Sequence, residues 1–252
     1  MEAIMTQRVL LSALLLLVTG CATPLPQTPP AGVSAQVPAP EFRVGNDWRY
    51  SVHDGFTKLP RGTVEYRVSA IQGDTVTVEV RNNGLESTEL YARDGNWLRR
   101  PAPNLQTFTY SPAYPAFAFP LAAGKTWNAR VVATDPADGQ RFPVTIQATV
   151  LGWEKIKVPA GEFDTLKVQR TVYIGYFQAN VRGPSIAIEI EWYAPALKQA
   201  AKRETSGRYF TYLAGTTDTG LLRVGDGHSD GGGPRYVDDD WLVYELVSHS
   251  VR

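Results

Sequence analysis

Ser185-Ile-Ala-Ile-Glu-Ile-Glu-Trp-Tyr193 is the stretch whose reading decides the fold. Apolar and polar residues alternate along it with period two, the repeat of a half-buried β-strand rather than a helix. Ile186, Ile188, Ile190 and Trp192 fall on one face and Glu189 and Glu191 on the other, so the isoleucine face is expected inside. The two glutamates could form an acid/base pair. The ordinary use of such a face is an exposed cross-strand ion pair, with Lys167 on the neighbouring hairpin as the expected partner.

Outward from this strand the pattern repeats. Val64 to Val68 and Thr75 to Val80 alternate in the same way, separated by the turn residues Gly73-Asp74. Glu154 to Val158 and Phe163 to Tyr173 flank Pro159-Ala160-Gly161, a short hairpin loop in which Gly161 can take positive φ. Trp241 to Val251 reads as a terminal strand. No long stretch shows a 3.6-residue period. Pro195 to Glu204 is the one good helix former, with proline at a permitted first position.

An internal repeat orders these pieces. Phe42, Gly45, Trp48, Tyr50 and Val52 correspond to Phe119, Gly124, Trp127, Ala129 and Val131, each copy turning at a glycine and then sending a Trp inward at the start of a strand, so Trp48 and Trp127 are expected in equivalent buried positions. Glu89-Leu-Tyr-Ala92 likewise corresponds to Glu191-Trp-Tyr-Ala194. The first copy continues into a turn at Asp94-Gly95 and then Trp97, so the Pro195 segment is either a helix or, by analogy, a turn and a strand. The expected fold is all-β: curved antiparallel sheets or a half-barrel built from two weak tandem repeats, about 42–100 and 119–213. A C-terminal loop and strand, 214–252, complete the domain 41–252, and the repeats are joined through Pro101 to Pro120.

Phe119-Pro-Leu-x-x-Gly-Lys-x-Trp127, Val158-Pro-Ala-Gly-x-Phe163 and Trp192-Tyr-Ala-Pro195 together resemble an uncharacterised family of bacterial periplasmic β-proteins. The resemblance covers about Phe117 to Thr205 and implies curved antiparallel strands. It brings no activity to carry over.

Ahead of the domain, Arg8 supplies a positive charge and Val9 to Val18 ten mostly apolar residues, followed by Thr19-Gly20-Cys21. A membrane span needs about 20 apolar residues, so the run is a signal segment, residues 1–20, expected to be cleaved. Val18 to Cys21 resembles the lipobox of bacterial lipoproteins, which implies diacylation of the Cys21 sulfur and acylation of its new amino group. Ala22 stands where an Asp would resemble the inner-membrane retention signal, which favours the outer membrane, on its periplasmic face. Residues 21–40 carry prolines at 24, 26, 29, 30, 38 and 40 and no aromatic ring, the composition of a disordered tether. Extended at about 3.1 Å per residue, it would hold the domain up to roughly 60 Å from its anchor.

Composition removes several classes of function. Cys21 is the only cysteine, so lipidation leaves no thiol for disulfides, catalysis or metal. Lys plus Arg equals Asp plus Glu at 25 each, so no net field favours nucleic acid. His53, His228 and His249 lack the paired spacing of zinc ligands. No metal and no cofactor are expected.

Two motifs share one loop. Gly227-His228-Ser229-Asp230-Gly231 matches the G-x-S-x-G nucleophile elbow, and Asp238, Asp239 or Asp240 followed by His249 completes a serine-hydrolase order. That elbow needs a strand before it and a helix after it, and Gly231-Gly-Gly-Pro234 forbids the helix, so Ser229 is not expected to be a nucleophile. Asp226, His228 and Asp230 with Gly231 partly resemble a calcium loop, but Val237 replaces the closing Glu. Elsewhere, Phe108, Tyr110, Tyr114, Phe117 and Phe119 concentrate five rings in one connector. Exposed, they would form a binding surface for sugar, lipid or protein; buried, they would plug the space between the repeats, the arrangement favoured by the weight of large aromatics in cores. The function expected is non-enzymatic: a lipid-anchored module that binds or scaffolds another envelope protein. The alternative is a carrier for a lipid or other hydrophobic ligand, and a serine hydrolase is third.

Overall fold

Period-two alternation produces thirteen strands in a computed structural model that describes residues 24–178, 182–211 and 235–251. β1 (Asp47–Asp54), β2 (Pro60–Gln72), β3 (Thr75–Asn82), β4 (Leu85–Ala92), β5 (Trp97–Pro101) and β6 (Thr107–Tyr114) follow one another as antiparallel neighbours. β7 (Thr126–Thr134), β8 (Arg141–Val158), β9 (Gly161–Ile174), β10 (Ser185–Ala194) and β11 (Gln199–Thr211) continue the order. β12 (Arg235–Asp238) and β13 (Leu242–Ser250) lie successively along the free side of β11 and act as one interrupted strand. β13 then pairs with β1 from Asp47↔Ser250 to Asp54↔Leu242, and the sheet closes into an antiparallel barrel. The two curved sheets expected from the repeats thus meet at both seams. Closure leaves no long unpaired edge among the described strands to template aggregation.

The repeat has a physical basis. Gly45 (φ +88°) and Gly124 (φ +78°) adopt a backbone that side chains resist, and each turns the chain into its strand by the same pair of bonds. Gly45 N donates to Val68 O and Val68 N to Asn46 O; Gly124 N donates to Val150 O and Val150 N to Lys125 O. Trp48 and Trp127 follow three residues later, and both indoles donate to a carbonyl of a loop at the same end of the barrel. Those bonds are Trp48 Nε1 to Leu197 O at 2.9 Å and Trp127 Nε1 to Pro115 O at 3.0 Å. Their burial differs, since Trp48 is 2% exposed and Trp127 only partly covered.

The Pro195 segment resolves in favour of the turn and strand. Pro195–Leu197 make one 3-10 turn, Lys198 takes φ +57°, and β11 begins at Gln199. Helix propensity loses because β11 fills the gap between β10 and β13 and satisfies both of their ladders.

The barrel's two ends differ. At the upper end, loops 115–125 and 195–198 and the approach to β1 cover the lumen. Val37 exchanges backbone bonds with Leu121, and Pro40 and Phe42 sit beside Gly95, Trp97 and Phe117. The described part of the proline-rich segment is therefore not the free tether that its composition suggested. Trp153 N donates to Pro26 O at 2.8 Å, Gln27 Nε2 to Leu151 O at 3.0 Å, and Val37 is buried. A chain short of N–H donors can lie against the barrel at little polar cost, because its carbonyls accept bonds from donors the sheet leaves free.

Removing a buried aromatic costs about 3–5 kcal/mol, so Trp48→Ala should lose about that much stability in urea unfolding, and Trp127→Ala distinctly less. Equal losses would contradict the difference in burial.

Candidate functional site

β9 places Leu166, Val168, Arg170, Val172 and Ile174 inward, so an arginine sits in line with aliphatic core residues and is itself fully buried. Its guanidinium is satisfied on every side. Nε donates to Glu189 Oε2 at 2.8 Å, one terminal nitrogen to Glu191 Oε1 at 2.7 Å, and the other to Ala116 O at 2.8 Å. Tyr114 Oη adds a bond to Glu189 at 2.9 Å. Burial opposes the charge on Arg170, but Glu189 and then Glu191 outweigh it and hold the group firmly protonated.

This arrangement inverts the expected faces of β10. Glu189 and Glu191 point into the lumen, 3% and 2% exposed, while Ile188 faces out at 41%. Lys167 pairs instead with Glu154, on the outside, where both frame Trp192. The cause is register: Glu189 lies opposite Arg170, and a buried guanidinium needs carboxylates more than the core needs two isoleucines. Glu191 is held below its ordinary 4.5, for although burial raises it, Arg170, then Arg203 and Arg100, outweigh burial. A carboxylate locked in this way is no general acid, so the acid/base reading of the pair falls.

A second ion pair lies nearby. Arg100 Nε meets Glu89 Oε2 at 3.2 Å, Tyr91 Oη donates to the same oxygen, and the Arg100 guanidinium covers the Trp97 ring at 4.2 Å. Trp97 stacks its other face on Tyr114 at 4.4 Å. The third lumen arginine, Arg203 on β11, is partnered differently. It bonds Tyr66 Oη at 3.2 Å and rests over the Tyr244 ring at 4.1 Å, and among the described residues it meets no carboxylate.

Among the described residues, the roomiest space left by these groups is at the lower end. A cavity of about 300 Å³ opens there, lined by Tyr66, Glu89, Trp97, Arg100, Arg203 and Tyr244 and rimmed by loop 101–105. Deeper in the lumen, between Tyr50, Tyr91 and Gln199, the remaining space is about 10 Å³, room for one water at most.

The sequence-level candidates distribute as follows. Phe108, Tyr110, Tyr114 and Phe117 are buried and Phe119 half-buried, packed on Tyr193; as an exposed binding surface they are corrected, because their rings build the core and the upper plug. Cys21, the Gly227–Gly231 motif with Ser229, and Asp226, His228 and Asp230 lie outside the described residues. His249 stands opposite Trp48 at the upper end of β13, whereas Asp238 to Asp240 precede its lower end. From Leu242 to His249 the strand advances roughly 24 Å, so these aspartates cannot orient that imidazole in a triad. Among the described residues no group of three acidic, His or Cys side chains is placed to hold a metal, and no helix is long and apolar enough to cross a membrane. Reasoning on patterns missed the three arginines, although Arg170 in an otherwise apolar alternation was a readable signal.

No protein-family model matches the chain, and no curated protein matches its sequence. Among solved structures it is similar to a "putative lipoprotein" from Parabacteroides distasonis, at 15% identity and TM-score 0.47 over 86% of this chain and 100% of that one. It is also similar to a "putative exported protein with YmcC-like fold" from Bacteroides fragilis, at 13% identity and TM-score 0.47, covering 85% and 99%. The hypothetical lipoprotein YmcC from Escherichia coli is similar at 9% identity and TM-score 0.42, covering 82% and 86%.

Replacing Arg170 with Met leaves two buried carboxylates unpaired and should cost about 3–5 kcal/mol in equilibrium unfolding. The pH dependence follows from Glu191. Its folded value is depressed, so the stability it contributes is complete above about its ordinary 4.5 and lost as pH falls through the lower folded value. Melting temperature should therefore drop below pH 4.5 in the native protein, and the drop should be smaller in Glu191→Gln, which keeps only the part that carboxylates such as Asp54 and Asp135, also held low, contribute.

Proposed function

We propose that this protein is a lipid-anchored, non-enzymatic binding module of the bacterial envelope, held at the outer membrane on its periplasmic face, with its lower mouth as the binding end. The observation that carries this reading is the asymmetry of the barrel. Among the described residues, the N-terminal segment, the plug loops and the ring cluster close the upper end, and the cavity lies at the opposite one.

The anchor places that opening. The lipobox makes Cys21 the acylated residue, and the chain is bound to the barrel from Pro26 onward. Five residues reach at most about 17 Å, so the sealed flank rests near the bilayer and the cavity faces away from it. Three acyl chains hold far more firmly than one, which alone gives only marginal binding. A carrier for a hydrophobic ligand needs an apolar lumen. This lumen is occupied by rings and by three arginines with three glutamates, and its roomiest described space sets Arg100, Arg203, Glu89 and Glu189 among apolar residues such as Val64, Val80, Leu105 and Leu242, so the charges inside it favour a ligand with a polar group over a wholly apolar lipid.

Cys21→Ser should move the protein from the membrane to the soluble periplasmic fraction, or leave the precursor uncleaved. Normal processing with unchanged membrane association would sink the anchoring half of the proposal.

A further inference from the structure

The lumen holds three arginines and three glutamates, yet the partners are unevenly shared. Arg170 takes both Glu189 and Glu191, and Arg100 takes Glu89. Arg203 is left as the cation without a carboxylate contact, although Glu191 is its cross-strand neighbour. It is half-buried in the cavity wall, with one nitrogen on Tyr66 and a face on Tyr244. Guanidinium is a fork of five donors, and most of this fork is unused by protein acceptors. Tyr66 Oη accepts from Arg203 and, among the described residues, donates to no acceptor. Two donor groups therefore converge on one cavity.

We infer that the lower mouth binds a small hydroxylated monocarboxylate, its carboxylate held by Arg203 and the Tyr66 hydroxyl. The inference rests on the proposed binding end and names the chemistry it would recognise. Three features select the class. A fork of parallel N–H groups matches a carboxylate's two oxygens. Glu89 and Glu189 also line the cavity but are paired with Arg100 and Arg170, so among the described residues Arg203 is the one lumen arginine without a carboxylate contact, which suits a single negative charge rather than a dianion such as a phosphate monoester. Asn82, Ser87, Asn104 and Thr205 add hydroxyl and amide groups that suit ligand hydroxyls, and Val64, Val80, Leu105 and Leu242 face the ligand's carbon atoms. Both faces of Trp97 are already covered, by Tyr114 and by Arg100, so an aromatic ligand finds no stacking platform there. At about 300 Å³ the cavity sits at the lower limit of small-molecule sites, which keeps the ligand small.

The test is calorimetric titration of the full-length protein in mild detergent with sodium gluconate, alongside glucose and glucose 6-phosphate as neutral and dianionic controls of similar size. Gluconate should bind saturably at one site, at least about tenfold more tightly than either control, as expected for a charge-assisted hydrogen bond. Arg203→Gln should weaken gluconate by at least about tenfold, and Tyr66→Phe should weaken it by a smaller factor; the second variant keeps the test valid if the first fails to fold. No saturable gluconate binding, equal binding of glucose, tighter binding of glucose 6-phosphate, or gluconate affinity unchanged in a folded variant would each overturn the inference. Membrane fractionation of Cys21→Ser is read without any ligand, so failure here and failure of anchoring remain distinguishable.

Discussion

The guanidinium of Arg170 is the constraint on which the rest of the barrel depends. It joins β9 to β10 through Glu189 and Glu191, and both strands to the upper plug through Ala116 O. None of these partners is dispensable once the charge is inside, because a buried ion left short of partners costs several kcal/mol. The requirement fixes which way β10 faces. Alternation allows two registers that differ by turning every side chain over, and the ion network permits one. Conformational specificity, more than net stability, is what such a network contributes here.

Strand existence, the all-β class and the repeat were legible in the sequence because each rests on local signals, period two and a glycine before a Trp, whereas the Pro195 segment stayed open between helix and turn because its helix propensity is local and the gap that β11 fills is not. What local signals cannot supply is the sign of a face. The isoleucines of β10 are the better hydrophobes by any scale, and they are outside. A strand in a closed barrel is judged by what lies across the lumen, and Arg170 is 19 residues away from Glu189 in the chain. The same holds for residues 24–40, whose composition is that of a spacer but which bond β8 through Pro26 O, accepting from Trp153 N, and Gln27 Nε2, donating to Leu151 O.

Catalytic patterns fail in this chain for a related reason. His249 and Asp238 to Asp240 are close in sequence, and in a helix or a tight turn they could be close in space. In an extended strand, separation in sequence converts almost fully into distance. β13 must be extended because it closes the seam with β1, so the element that completes the fold also separates the would-be partners. The C-terminal segment serves closure.

Closure also explains why one end differs from the other. Twelve strand positions around a ring enclose more space than small side chains fill, and the chain fills it with large rings, the buried Phe108, Phe142 and Tyr176 cluster toward the lower end among them, and with long arginines and glutamates. Trp48 and Tyr50 donate from β1 to Leu197 and Ala200 across the seam, which ties the first repeat to the last strands at the plugged end. Among the described residues the lower end has no such cross-lumen bonds between aromatic groups and backbone; there Arg203 and Tyr66 keep donors that no described acceptor uses. A rigid, sealed upper half lets those donors hold their positions without a ligand. Preorganisation of this kind lowers the ordering cost of binding, so a small cavity can be selective with few contacts.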